Sequence, residues 1–96
     1  MATLRIEHAI TDFETWRSAF DRFAEVRADR GVLATRVHRP LDDDQYVLID
    51  LEFATADAAS DFEEFLRTRI WSTPENAPAL AGSPITRILR DEPVPA

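Results

Sequence analysis

Between Leu4 and Ile10 apolar and polar positions alternate, with Leu4, Ile6 and Ile10 set against Arg5 and Glu7. A period of two places a half-buried strand in a sheet. The pattern then changes. Thr11-Asp12-Phe13-Glu14 reads as a capping box, in which the Thr11 hydroxyl and the Glu14 carboxylate satisfy free amides at a helix start. Phe13, Trp16, Phe20, Phe23 and Ala24 follow at steps of three and four, with Arg17, Asp21, Arg22 and Glu25 on the wet side. That spacing predicts an amphipathic helix ending at Arg30, with Gly31 suited to the left-handed cap.

Val32 to Arg39 reads as a second strand, and Pro40-Leu41-Asp42-Asp43-Asp44 as a polar reversal. Gln45 to Phe53 is the third strand. It carries Val47, Ile49, Leu51 and Phe53 on one face and Tyr46, Leu48, Asp50 and Glu52 on the other. Thr55 is placed to cap a second helix running to about Arg69, with Ala58, Ala59, Phe62, Phe65, Leu66 and Ile70 as its buried stripe. Trp71-Ser72-Thr73-Pro74 breaks regularity, Pro74 to Leu80 is expected to form a short helical turn, and Gly82-Ser83-Pro84 to stop it. Ile85 to Arg90 is the last strand, and 91–96 a loose tail.

The order β-α-β-β-α-β predicts a single ferredoxin-like α+β domain over residues 1–96, with two interleaved right-handed crossovers in a four-stranded antiparallel sheet and both helices on one face. Leu4, Ile6, Val47, Ile49 and Leu51 must then meet the helices, because the opposite phase would bury Arg5 and Glu7. The open face is left with Arg5, Glu7, Ala34, Arg36, His38, Tyr46, Leu48, Asp50 and Glu52. A mixed face of this kind suits water or a second sheet.

Charge narrows the partners. The chain has 96 residues, a formal net charge of −7, and eleven basic residues, all of them arginine. An acidic surface disfavours nucleic acid and anionic membranes, and no window approaches a transmembrane span. RNA-recognition motifs share the element order but stack bases on sheet aromatics, where this chain carries Asp50 and Glu52. With no cysteine and no apolar leader, a reducing cytoplasmic location is expected.

The candidate chemistry is sparse. His8 and His38 fall on strands separated by a third, roughly 9.6 Å apart, too far to share a metal whose ligand nitrogens lie within about 4 Å of each other. No metal is therefore expected. His8 is phased with Leu4 and Ile6 and reads as a hydrogen-bonded histidine at the edge of the core; His38 on the open face is a candidate acid–base group. Trp16 reads as core. Trp71, in a Ser/Thr/Pro segment, suits a partner contact, a pocket mouth or plain packing. Arg5, Glu7, Arg36, Asp50 and Glu52 can pair across strands. A cavity between two sheets would be lined by the same groups and Tyr46, where low dielectric could raise a carboxylate pKa enough for proton transfer. On that reading His38, Tyr46 and Asp50 are the catalytic candidates, and Arg36, Tyr46, Glu52 and Trp71 the ligand-binding ones. Two glycines in the whole chain leave no material for a phosphate loop or dinucleotide fingerprint, so no cofactor is expected.

His8 followed by Asp12, Trp16, Phe20 and Asp21, then Gly31-Val32, Arg36-Val37-His38-Arg39 before an Asp-rich turn, Glu52-Phe53 and Gly82-Ser83-Pro84, give the chain its family likeness. It resembles the dimeric α/β-barrel superfamily, in particular small bacterial proteins similar to antibiotic-biosynthesis monooxygenases. The resemblance implies a homodimer packed open face to open face and a protein that binds a small hydrophobic or aromatic molecule between or beside the sheets. It also allows a cofactor-independent monooxygenase or cyclase-like enzyme on a polycyclic aromatic substrate, or a purely structural dimer without ligand. The haem-degrading members rely on an Asn on the first strand, whereas the one Asn of this chain is Asn76, so haem chemistry does not carry over.

Overall fold

The computed structural model describes residues 1–95. It arranges them as β1 (Ala2–Ile10), α1 (Phe13–Arg22), α2 (Ala24–Asp29), β2 (Ala34–His38), β3 (Tyr46–Phe53), α3 (Ala56–Phe65), a π-helical turn (Leu66–Ile70) and β4 (Leu80–Arg90). The strands form one antiparallel sheet in the order β2-β3-β1-β4, the ferredoxin-like arrangement that the element order predicts. Its centre is the β1–β3 pair.

The alternation seen in the sequence decides which side of that pair is dry. Ala2, Leu4, Ile6, His8 and Ile10 are buried along β1, as are Val47, Ile49, Leu51 and Phe53 along β3. The register sets Leu4 opposite Leu51, Ile6 opposite Ile49 and His8 opposite Val47. Trp16 of α1 and Ala59 and Phe62 of α3 close over this layer to complete the core. Thr55 caps α3 as its sequence implies, its hydroxyl accepting from the Ala58 amide at 3.1 Å. Gly31 adopts φ +96°, the left-handed conformation open to a residue without a Cβ.

Four expectations need correction. The cap of α1 is Asp12 rather than Thr11: the Asp12 carboxylate accepts from the Thr15 amide at 2.9 Å and the Thr15 hydroxyl at 2.8 Å. Thr11 prolongs the sheet end instead, its amide donating to the Ala79 carbonyl at 2.9 Å. The first helix is broken at Phe23, whose φ −98° and ψ 15° leave the α region, so α2 swings away as a separate short helix. The helix expected to reach Arg69 ends its α-helical part at Phe65 and continues as the π turn, in which the Trp71 amide reaches back to the Leu66 carbonyl at 2.8 Å.

The fourth correction concerns the last strand. Residues 74–79 form turns rather than a helical turn, and Gly82-Ser83-Pro84 lies inside β4 instead of before it. Glu7 faces Ile85 while Ala9 faces Ala81, so β4 carries extra residues there, and Gly82 takes φ +70°. A bulge accommodates a proline that has no amide to give the ladder. It also leaves His8 as the one position between Ala2 and Ile10 with no β4 residue opposite it.

The two capping assignments separate in a simple experiment. Asp12→Ala should lower the urea midpoint, because the Thr15 amide loses its acceptor, whereas Thr11→Ala should leave the midpoint nearly unchanged. Equal losses would restore the capping box.

Candidate functional site

β1 carries one polar side chain in its buried phase. His8 is 4% exposed and is the only buried polar or charged side chain among the described residues. Its Nδ1 lies 2.9 Å from the Ala9 carbonyl oxygen. A carbonyl oxygen can only accept, so Nδ1 carries the proton and Nε2 of the neutral ring keeps a free lone pair. Burial pushes the imidazole pKa below its ordinary value and outweighs the opposing effect of the Ala9 bond, which keeps the ring neutral at pH 7. Trp16 presents its ring to the imidazole at 62°, with centroids 6.3 Å apart.

His8 lines a cavity of about 70 Å³ between the sheet and the helices, several times the ~10–15 Å³ that one water molecule needs. Ile6, Ile49 and Leu51 make its floor, and Trp16, Phe20, Phe62 and Phe65 its walls. Trp16 stacks on Phe20 at 4.8 Å, and Phe62 packs on Phe65 at 5.7 Å, so large flat rings hold the space open. The break at Phe23 lets Phe20, Phe23 and Val26 face one hollow. The π turn does the same at the other wall, adding a residue to the last turn so that Leu66, Ile70 and Trp71 all reach the cavity.

The floor is buried, whereas Phe65, Leu66, Trp71, Asn76 and Ala77 are half-buried, so the cavity opens between α2, the π turn and the 71–79 segment. Asn76 donates from Nδ2 to the Arg69 carbonyl at 2.9 Å and fixes that segment across the rim. Arg27, also half-buried, donates from Nη1 to the Phe20 carbonyl at 2.6 Å and lays its guanidinium 3.7 Å from the Phe20 ring centre. Burial lowers its pKa, Asp21 opposes that and Arg17 adds to it, but an arginine remains a cation.

The residues singled out from the sequence divide between the two faces. Arg36 faces Asp50 and His38 faces Leu48 across β2 and β3, and with Tyr46 and Glu52 they stand on the open face, away from the cavity. Trp71 lines the cavity. On the open face the Arg5 guanidinium grips Asp50 through two bonds of 2.8 Å, and the Tyr46 hydroxyl donates to Glu7 at 3.0 Å. The Arg5 bond holds the Asp50 carboxyl below its ordinary pKa, with Arg36 and His38 acting in the same direction and partial burial opposing them. That is the reverse of the upward shift a proton-transfer carboxyl on this face would need. Desolvation, together with the Glu7 bond, raises the Tyr46 phenol.

His8 and His38 project from opposite faces, as their register partners Val47 and Leu48 do. No group of three His, Cys, Asp or Glu side chains among the described residues could hold a metal. Sequence reasoning passed over Phe20, Arg27 and Asn76 as site residues. The signal available in the sequence was His8 itself, a titratable residue in an otherwise apolar phase.

No protein-family model matches the chain, and no curated protein matches it by sequence. Solved structures do match. A cofactor-independent oxygenase from Streptomyces nogalater, SnoaB, superposes with a TM-score of 0.73 at 15% identity, covering 97% of this chain and 94% of its own. An antibiotic biosynthesis monooxygenase superposes with a TM-score of 0.68 at 11% identity, covering 97% and 100%. A dimeric ferredoxin-like protein from an uncultured marine organism gives a TM-score of 0.66 at 13% identity, covering 95% and 96%. The resemblance drawn from the sequence therefore holds at the level of the fold. No helix among the described residues is long and apolar enough to cross a membrane.

The depressed His8 pKa fixes the sign of a pH effect. Above about pH 6.5 the ring is neutral in both folded and unfolded chains and is without effect; as pH falls from there towards the lower folded value, the unfolded chain takes up a proton that the folded one resists. Wild-type stability should therefore decline between pH 7 and 5.5, by at most about 1.4 kcal/mol per pH unit for one proton. The His8→Gln variant should decline less over the same interval in urea titrations; parallel slopes would show that the ring is not buried neutral.

Proposed function

We propose that this protein binds a small, flat, hydrophobic or aromatic molecule in the cavity between its sheet and helices, and that it works as a homodimer joined through the open face of the sheet. The observation that carries the first part is an aromatic-walled hollow with a single neutral imidazole turned into it. An apolar pocket with a few convergent polar groups is the ordinary form of a small-molecule site. At ~24 cal/mol per Å³ a void of this size costs a fold on the order of 1–2 kcal/mol, a cost that the inserted edge of an apolar ring would offset while the rest of the ligand lies in the half-buried mouth beside Phe65 and Trp71.

His8 also favours a second reading, cofactor-independent oxygenation. Nε2 can take a proton from a phenol or activated C–H of a bound ring, leaving an electron-rich carbanion or phenolate for dioxygen to attack. The fold shared with SnoaB agrees with this reading without assigning its chemistry to this chain.

Dimer formation is supported by the open face itself. Ile85 and Leu89 lie there 55% and 37% exposed, opposite Glu7 and Thr3 of β1, beside half-buried Tyr46 and Leu48. An apolar strip beside a satisfied Arg5–Asp50 ion pair is a surface that a second sheet can cover.

Two experiments test these statements. Both tryptophans of the chain line the cavity, so 2-naphthylmethanol should change the tryptophan emission saturably and raise the melting temperature. In His8→Gln the alcohol should still bind, while any oxygen uptake with a hydroxynaphthalene should disappear. An unchanged emission up to the solubility limit of the probe would remove the ligand reading. In light scattering, wild type should have twice the protomer mass at micromolar concentration and Ile85→Asp should shift to the single protomer; a monomeric wild type would remove the dimer.

A further inference from the structure

Two arginines stack on aromatic rings that line the cavity, and neither is neutralised by a carboxylate among the described residues. Arg27 lies in α2, and Arg30, three positions on, is the residue at which that helix ends. Each lies flat on a different wall of the cavity: the Arg27 guanidinium is 3.7 Å from the centre of the Phe20 ring of α1, and that of Arg30 is 3.7 Å from the centre of the Phe65 ring of α3. Arg27 itself lines the cavity, and Arg30 adjoins it through the Phe65 ring on which it stacks.

Neither has a carboxylate within 4.0 Å among the described residues, where Arg5, Arg17, Arg39, Arg67 and Arg90 all do. Asp21, whose charge Arg27 feels, is engaged by Arg17 at 2.9 Å. Arg22, Arg36, Arg69 and Arg87 are likewise without a salt bridge among the described residues, so what sets Arg27 and Arg30 apart is the cavity-lining ring on which each stacks. Stacking satisfies the faces of the guanidinium planes and leaves most of their N–H donors, which lie along the edges, without a partner. Donors in that position suit a planar anionic oxygen group, which an arginine can hold through two parallel bonds.

We infer that the ligand is an amphiphilic anion, an apolar ring system that enters the cavity and carries one carboxylate that remains at the rim between Arg27 and Arg30. This rests on the reading of the cavity as a ligand site and adds the charge of its occupant. The apolar part lies against Phe20, Phe65 and Trp71, and the anionic end never leaves the half-exposed rim, so the ion pair is formed without burying an isolated charge.

A matched pair of probes tests this on the full chain. Binding of 2-naphthoate and of 2-naphthylmethanol, which share one ring system and differ in charge, is followed by tryptophan emission at low salt. The carboxylate should bind at least about tenfold more tightly than the alcohol, and the preference should shrink as ionic strength rises. Arg27→Gln and Arg30→Gln should each remove several-fold of the carboxylate's affinity and leave that of the alcohol within about twofold. Arg30, exposed and with no side-chain hydrogen bond among the described residues, is the variant that keeps the test meaningful if Arg27→Gln unfolds. Equal affinities for the two probes in wild type, or loss of both probes together in Arg30→Gln, overturn the anion inference and leave the cavity reading intact. Failure of both probes to bind wild type overturns the two together.

Discussion

The two-residue period of β1 constrains everything else in this molecule. As the centre of the sheet, β1 must present each side chain either to the helices or to the open face, and no local adjustment can move one without moving its neighbours. Leu4 and Ile6 belong to the dry side, so Arg5 and Glu7 belong to the other, and His8 is carried inside with the apolar set. The protein accommodates that histidine in two ways. The Ala9 carbonyl accepts a hydrogen bond from its one N–H, and the bulge in β4 leaves the position without a β4 residue opposite. Bulges recur beside active sites because they redirect side chains and interrupt pairing; here the interruption falls at the one buried polar side chain among the described residues.

The two faces of the sheet then have different tasks. On the helix side, aromatic rings from α1 and α3 are held apart by the break at Phe23 and by the π turn, and the space between them is a cavity rather than a filled core. On the open side, Arg5 is spent on Asp50 and Tyr46 on Glu7. A carboxylate held in a bidentate ion pair is a poor proton carrier, whereas a neutral imidazole with a free lone pair in an apolar hollow is well placed to be one.

The sequence was most informative where a single residue's phase or conformation decides the outcome. The facing of β1 and β3, the cap at Thr55 and the left-handed Gly31 could all be read from residue identity and spacing. The break at Phe23 could not, since an aromatic residue is no helix breaker and only the packing of Phe20 and Val26 around a common hollow calls for it. Gly82-Ser83-Pro84 carries the composition of a turn, and only the pairing of β4 with β1 reveals a bulge. The same limit governed the site. Surface chemistry on the open face, from Arg36, His38, Tyr46, Asp50 and Glu52, is visible in a strand pattern; a cavity assembled from strands, helices, the π turn and the 71–79 segment is a property of the packed chain.

The claim at the centre is that the ligand site lies on the helix side of the sheet, against His8. Its most direct test is a nitrogen-15 and proton magnetic resonance titration with 2-naphthylmethanol, following the two indole N–H signals and the imidazole nitrogens of both histidines. Shifts at Trp16, Trp71 and His8, with His38 unmoved, are the predicted result. Shifts confined to His38 and the amides of Arg36 and Tyr46 would place the site on the open face and contradict the account.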